Sequence, residues 1–440
     1  MSSTSEEKMN VFAEVIEVVD SFNEFEYLFF LPIHQVEIDI LRDKRERAVE
    51  ILEAIPIEKR QSKDDEAMYC YLKGKILEIS PDYNELAEDH LTEAIKLNPN
   101  MADAWIYLGT CIWKRGDLDK AKSCFKSCYE LDQKNKQALL HLSVIERRQC
   151  QGLIEIENPE EIIRESVRHA MEAVALDIQD GISWYVLGNA CLTSYFATGC
   201  WDVSMLLQSL QAYKNAKKDE RMLSSIHLCF NCSLTYKFLE DYETAIAGFE
   251  AASSMEPGLT YANAQEEASY LYEILDGIVS FLQDLNDDAK LLPSPTSSLP
   301  TADSLASLLS SAVLNPTYEK ATVESLNEGP NQGKAVTGKV LFSVKNPDFH
   351  FTPIYYVVLD SDGTCFVITV YGVHSSAIKE EDQVILLDPF YHIFDIESKG
   401  KRYQFKSLRM DFWDQVRVNG AVMSREHEIH KTMYPLLQEA

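Results

Sequence analysis

Apolar residues recur at helical spacing through most of the first 285 positions, and the period then changes to alternation. In Ala102–Asn135 (ADAWIYLGTCIWKRGDLDKAKSCFKSCYELDQKN), Trp105, Leu108 and Ile112 fall on one face of a first helix. Ala121, Phe125 and Cys128 fall on one face of a second. Gly116-Asp117 provides a turn between them, and Gly109 and Ala121 are small where the two helices must approach. The same hairpin pattern appears before this stretch, with Tyr71, Leu72 and Gly74 followed by Ala87, Leu91, Ala94 and Pro99. It appears after it too. HLSVIERRQ supplies a first helix, GLIEIENPEE interrupts, and SVRHAMEAVALD supplies the second. Trp184-x-x-Leu187-Gly188 opens another pair that continues through Tyr213 and Ala216. Its Trp-to-Ala distance is nine residues longer than in a standard repeat, which predicts a loop bulging out around Phe196 to Val203. A last pair runs through Tyr236, Tyr242, Ala245, Phe249, Ala252 and Pro257.

The 34-residue unit Ala102–Asn135 matches the tetratricopeptide pattern, with Gln133 in place of the closing proline. One such hairpin cannot bury its own apolar face, so a stacked array is expected over 67–289, closed by a capping helix over 261–285. Residues 1–66 precede it as N-terminal helices, the second of them stopped by Pro56. Residues 290–333 (LLPSPTSSLPTADSLASLLSS and onward) are rich in Ser, Pro and Thr and predict a flexible linker. From 334 to 425, VTGKVLFSV, IYYVVLD, TCFVITVYG, QVILLD, YHIFDI and YQFKSLRM alternate as strands. SDG and SKGK are their hairpin turns, and SSAIKEEDQV offers one helical turn. Five or so strands with one insertion suggest a small closed Greek-key barrel of the oligonucleotide/oligosaccharide-binding type, with an SH3-like barrel as the alternative. Residues 426–440 form a tail. The fold class is therefore multidomain, α then β.

In a stacked array the first helix of each pair lines the inner groove. The inward positions are Tyr107, Thr110, Trp113 and Lys114; His141, Val144, Arg147 and Arg148; Tyr185, Asn189 and Leu192; and Phe230, Asn231, Leu234 and Lys237. Amide and cationic side chains there suit an extended peptide, held by hydrogen bonds to Asn and charge-assisted bonds from Arg. A clamp for a C-terminal carboxylate, as in chaperone cofactors, needs Lys and Asn at the fifth and ninth positions. The fifth positions here are Ile106, Leu140, Tyr185 and Phe230, which support it poorly.

Charge sharpens this reading. The net charge is −29; residues 1–290 hold 28 basic and 52 acidic side chains (−24), and residues 331–440 hold 12 and 14 (−2). The acidic part disfavours non-specific nucleic-acid binding over most of its surface. Its exception is KNAKKDER, where Lys214, Lys217, Lys218 and Arg221 could meet RNA phosphates. On the barrel, Tyr355, Phe366, Tyr371, Phe390 and Tyr391 could stack on bases beside Lys399, Lys401, Arg402 and Lys406, or fill the barrel interior. The ten cysteines lack framework spacing and the N-terminus MSSTSEEKMN lacks a secretion signal, so reduced cytosolic or nuclear thiols are expected. Cys229-x-x-Cys232 falls on packing positions, and no second pair completes a tetrahedral metal site. No HExxH, GxSxG or phosphate-cradling glycine loop occurs, so a non-catalytic protein without cofactor or metal is expected. No apolar run is long enough to span a membrane.

EAIKLNPNMADAWIYLGTCIWKRGD, DGISWYVLGN with the following SYFATG, and GKVLFSVKNPDF through VVLDSDGTCFVITVYG together resemble the tetratricopeptide repeat protein 5 family. The resemblance spans essentially the whole chain and implies repeats joined to a C-terminal barrel. It implies two activities. In the nucleus, the family scaffolds a stress-responsive histone acetyltransferase cofactor complex. In the cytoplasm, it recognises the N-terminal Met-Arg-Glu-Ile of nascent tubulin on the ribosome and triggers tubulin mRNA decay. It also implies a groove arginine at Arg147. Around SSIHLCFNC the family's acidic groove residue is not matched; Ser225 and His227 stand there. A chaperone cofactor, or a nucleic-acid-binding protein acting through the barrel, are the competing functions.

Overall fold

The computed structural model describes residues 12–22, 35–60, 62–80, 82–150, 158–197, 202–255, 262–291, 317–344 and 353–427. Among the described residues thirteen α-helices precede a sheet of short and long strands. The helices are α1 (Ala13–Asp20), α2 (Gln35–Glu53), α3 (Lys63–Glu78), α4 (Glu85–Leu97), α5 (Ala102–Lys114), α6 (Leu118–Leu131), α7 (Lys136–Cys150), α8 (Pro159–Leu176), α9 (Gly181–Ala197), α10 (Val203–Ala216), α11 (Ile226–Phe238), α12 (Tyr242–Met255) and α13 (Ala262–Leu291).

The chain divides into two compact units. The first holds Met1–Ser194, Gln208–Leu228 and Tyr434–Ala440; the second holds Tyr195–Leu207 and Cys229–Met433. The boundary therefore falls inside the repeat array, not at the Ser/Pro-rich stretch. Composition marks where a chain is loosely tethered, whereas compactness follows which faces are buried together.

In the first unit the repeat motif has a visible cause. A Cβ on Gly109 would lie 2.4 Å from the Phe125 ring, and one on Gly188 2.4 Å from the Tyr213 ring. Each glycine lets an aromatic of the second helix press on the first. The Trp of each motif ties down the preceding turn: Trp105 Nε1 donates to the Pro99 carbonyl (3.0 Å) and Trp184 Nε1 to that of Ile178 (2.9 Å). Asp117 caps α6 by accepting from the Lys120 amide, and Gly116 turns with φ +92°. Around this hairpin Ala104, Leu108, Ala121, Phe125, Cys128 and Ala138 make one continuous core.

Of the loop expected at Phe196–Val203, Phe196 and Ala197 end α9 and Val203 begins α10, while residues 198–201 lie outside the described residues. α9 runs through Ala197, and Tyr195 and Phe196 are buried in it. Lengthening the helix keeps two aromatic rings out of water, where a loop would have exposed them.

The second unit contains α12, α13, most of α11 and the β domain. The strands are β1 (Glu319–Ala321), β2 (Gly329–Pro330), β3 (Lys334–Val344), β4 (Ile354–Asp360), β5 (Cys365–Val370), β6 (Gln383–Leu387), β7 (Phe390–Ser398), β8 (Lys401–Met410), β9 (Val416–Val418) and β10 (Ala421–Val422). β3, β4 and β5 form an antiparallel meander; β5 pairs with β8 in parallel, and β8 pairs antiparallel with β7. β6 pairs back on β3, and β6 and β7 are one chain segment bent at Asp388 (φ +50°) and Pro389. The sheet thus curls into a barrel of the oligonucleotide/oligosaccharide-binding type around Val336, Tyr356, Phe366, Ile368 and Leu408.

Two expectations change here. The end of the predicted linker is strand: β1 lies parallel to β3, and Ala321, Val323 and Leu326 enter the barrel core. At the other end of that stretch, α13 continues through Leu291. Residues 375–382 form turns without a helix. The linker residues 292–316 and the tail beyond His427 lie outside the described residues.

The barrel packs on the last helices of its own unit. Phe281 of α13 stacks on Phe342 of β3 (4.5 Å, 10°), Tyr242 of α12 stacks on Phe394 of β7 (5.2 Å, 11°), and the Tyr242 and Tyr355 hydroxyls are 2.8 Å apart. A fragment ending at Leu291 removes that support. Its α11–α13 amides should exchange at least about tenfold faster than in the full chain, with α5–α8 unchanged. Hydrogen exchange followed by mass spectrometry measures this; equal protection in both would show that the helices stand without the barrel.

Candidate functional site

The inward positions do not share one environment. Trp113 is core, tilted 6.4 Å from Phe125 and 6% exposed. Tyr107 is half-buried, its ring 6.1 Å from Tyr71 and 4.8 Å from Lys75 Nζ. Lys114 points into its own scaffold: Nζ donates to the Glu78 carboxylate (2.6 Å) and to the carbonyls of Glu78 (2.7 Å) and Ser80 (2.8 Å). It closes the C-terminal end of α3, where a cation suits the helix dipole. Tyr185 is buried against Tyr213 (6.3 Å), and Asn189 Oδ1 accepts from the Tyr213 hydroxyl (2.7 Å). Arg148 is half-buried.

In the second unit Asn231 is buried, and Lys237 is wholly buried with Nζ 2.6 Å from Glu267 Oε2 and 4.9 Å from the Tyr270 ring. Trp113, Lys114, Tyr185, Asn189, Asn231 and Lys237 are thus corrected from peptide ligands to parts of the packed scaffold. Trp113 is covered by the second helix of its own pair, as are Tyr185 and Asn189, whereas Lys114 is covered by the end of α3 and Lys237 by α13.

Arg147 is different. It too is fully buried, where an exposed groove position was expected. Nη1 donates to Ser143 Oγ (2.9 Å), with Ser166 Oγ and the Val186 carbonyl at 3.4 Å; Nε and Nη2 have no hydrogen-bond partner. Burial drives its pKa down to about 10, against the pull of Tyr213, Tyr185, Cys191 and Glu146. Among the described residues no carboxylate pairs with it, and Glu146 on the same helix is turned away. Glu146 Oε2 is 2.9 Å from His169 Nδ1, and Oε1 is 3.7 Å from Lys122 Nζ. A buried guanidinium with two unused donors has the hydrogen-bonding capacity to take an anion.

Ser143 and Ser166, which hold Arg147, were not identified from sequence. Ser143 lies one helical turn before Arg147 and was legible in principle; Ser166 comes from the neighbouring helix and was not. Glu146, His169 and Lys122 also border a cavity of about 580 Å3 between α6 and α8, and Arg147 does not line it.

The basic run divides as well. Lys214, Lys217 and Lys218 are exposed, Lys218 Nζ donating to Asn215 Oδ1 (2.7 Å). Arg221 is engaged internally, with Nη2 2.9 Å from Asp180 and further bonds to Asp219, which accepts from the Gly181 amide. Burial opposes ionisation of Asp180, but Ser183, Lys136 and Arg221 overcome it and hold its carboxyl below the usual range. Arg221 is therefore a strut of the turn before α9, which removes it from the candidate RNA surface.

Among the described residues no group of three His, Cys, Asp or Glu side chains could hold a metal, and no helix is long and apolar enough to cross a membrane. Cys229 Sγ lies 3.4 Å from the Gly248 carbonyl and Cys232 is buried.

Two measurements test these environments. Arg147→Met removes an uncompensated buried charge while keeping most of the volume, so stability should hold or rise by about 1 kcal/mol; Arg147→Ala leaves a cavity and should cost about 2–4 kcal/mol. Denaturant melts compare them, and equal losses in both variants would mean the charge is compensated.

His141 stacks on Phe125 (4.7 Å, 9°), and burial pushes its pKa down to about 3. The unfolded chain therefore binds this proton first. Its contribution is complete above pH 6.5 and declines as the pH falls, by about 2 kcal/mol between pH 6.5 and 5. His141→Gln should flatten that part of the stability profile.

The sequence comparisons agree with this architecture. The family model of the tetratricopeptide repeat protein 5 OB fold domain matches residues 317–432, and the tetratricopeptide repeat model matches 102–135. Tetratricopeptide repeat protein 5 of Homo sapiens is 32% identical over 435 residues, covering 96% of this chain and 95% of that protein. Its Mus musculus counterpart is 32% identical over 449 residues, covering 98% of both. Among solved structures YrrB, a TPR protein with an unusual peptide-binding site, is 16% identical, covers 51% of this chain and 97% of its own, and has a TM-score of 0.36, too low to carry an argument. Sharing about a third of its residues with these relatives along nearly its whole length, the chain belongs to the tetratricopeptide repeat protein 5 family.

Proposed function

We propose that this chain is a non-catalytic adaptor that takes a glutamate-bearing peptide against Arg147, and that the peptide is the N-terminal Met-Arg-Glu-Ile of nascent tubulin on the ribosome. Recognition there would commit tubulin mRNA to decay. The observation that carries the reading is the Arg147 guanidinium, buried with two donors idle and no carboxylate opposite. The peptide's glutamate supplies what is missing, and a bidentate pair accounts for both donors. Because Arg147 is covered, the helices around it must part for the peptide to enter, which lowers the apparent affinity.

Ser225 Oγ accepts from the Leu228 amide (3.2 Å), and burial holds His227 below its usual pKa, so neither offers a carboxylate to the peptide's arginine. In this reading the glutamate dominates recognition. Lys214, Lys217 and Lys218 form the surface offered to ribosomal RNA. The same peptide-binding mode would serve a nuclear role, scaffolding a stress-responsive acetyltransferase cofactor complex, so the protein is placed in both cytoplasm and nucleus. The chaperone-cofactor alternative has little support, since Ile106, Leu140, Tyr185 and Phe230 at the clamp positions are all buried.

The test is titration calorimetry of the full chain with an MREI-led peptide. Binding should be saturable and weaken at least about tenfold with Arg147→Met, or when the peptide's glutamate becomes glutamine. Replacing the peptide's arginine should cost less than about threefold. A wild-type chain that ignores the peptide would refute the tubulin reading. Separately, Lys214→Glu/Lys217→Glu/Lys218→Glu should reduce co-sedimentation with ribosomes while leaving peptide affinity unchanged; unchanged sedimentation would remove this surface from the proposal.

A further inference from the structure

The outer face of β4, β5, β7 and β8 has the chemistry of a single-strand platform: aromatic rings for stacking and cations for a backbone. Phe394 and Tyr355 supply rings, and Lys399, Lys401 and Arg409 the charges. Four of these five belong to β7, β8 and the turn joining them.

What lies on this face is an acidic, aromatic surface of the same unit. Tyr242 stacks on Phe394 nearly coplanar (5.2 Å, 11°) and shares a hydrogen bond with Tyr355. Each cation meets a helix-side carboxylate. Lys399 Nζ is 2.9 Å from Glu250, Lys401 pairs with Asp276, and Arg409 Nη1 is 3.8 Å from Glu240. Arg409 also keeps a barrel-side partner, with Nε 2.7 Å from Asp411, and donates to the Phe238 carbonyl (2.6 Å). One flat ring on a stacking aromatic, with carboxylates at the cation positions, is the pattern a base and its phosphates would present.

We infer that α12, α13 and the turn before α12 mimic a single-stranded nucleic acid in cis, and that the barrel face beneath them is a nucleic-acid site held closed by that mimicry. The near-neutral barrel (−2 over 331–440, against −24 over 1–290) fits the division. Covering carboxylates neutralise the face's cations until the helices lift. The inference does not depend on the Arg147 reading.

The experiment uses the full chain and a fluorescein-labelled oligo(dT) of about 15 nucleotides, read by anisotropy at low salt. The wild-type chain should bind weakly. Glu250→Ala/Asp276→Ala removes two of the mimicking carboxylates, both half-exposed, and should tighten binding at least about tenfold. Adding Lys399→Glu/Lys401→Glu to that variant should abolish the gain. Hydrogen exchange checks that β5 and β8 keep their protection, and excess oligonucleotide should raise exchange in α12 of the wild-type chain. If the opened variant binds no tighter than wild type, or if the gain survives reversal of Lys399 and Lys401, the inference is wrong. Should the opened variant lose strand protection, the α12 exchange in the wild-type chain decides alone: no rise with excess oligonucleotide overturns the inference.

Discussion

A cation taken out of water must bring its counter-charge with it, and this requirement separates the scaffold from the site in this protein. Lys114 is buried with Glu78, Lys237 with Glu267, and Arg409 with Glu240 and Asp411. The first two pairs hold one element to the next and leave little charge to offer a partner, and the third lies between the barrel and the helices of its own unit. Breaking one would strand a buried charge, which costs more than the pair contributes. Arg147 instead is held by two hydroxyls and a carbonyl, with no carboxylate against it among the described residues. Its cost is borne by the fold without return inside the chain, which is why it reads as a binding residue although it is wholly covered.

The second unit extends the same logic from a residue to a surface. The barrel is not an appendage on a linker but the packing partner of the last repeat. Tyr371 donates to buried Glu240 (3.0 Å), and Arg409 lies 4.1 Å over the Tyr371 ring. Burial pushes the Glu240 carboxyl up while the Arg409 charge and the Tyr371 hydroxyl pull it back. A helical array normally ends in a polar cap. Here the end is apolar and aromatic, and the barrel covers it. The compact unit therefore takes in Tyr195–Leu207 and most of α11, far from the Ser/Pro stretch that composition marks as the tether.

Much of the fold was legible because it is periodic. The Trp-x-x-Leu-Gly motifs predicted helix pairs with a close approach, and Gly109 against Phe125 and Gly188 against Tyr213 supply it. The alternation after residue 334 predicted the principal strands, and SDG and SKGK predicted their turns. What failed was non-periodic. β1 and β2 lie in a stretch whose composition suggests a linker, and they are ordered only because β3 and β7 pair with them. Phe196 falls within the predicted loop, but α9 continues through it and buries it.

For the site, the sequence by itself determined which residues share the inner register of each first helix, because a 3.6-residue period decides direction without reference to neighbours. It also located the one arginine the family resemblance singles out. Only the tertiary structure decided which of those residues remain available. Availability depends on how closely the next helix approaches and whether it carries a carboxylate at the right height, and the residues that answer are distant in sequence: Glu78 for Lys114, Glu267 for Lys237, and for Arg147 only Ser166 and Val186. Direction is a local property of the backbone, whereas charge compensation is set by contacts that form only when the chain is packed.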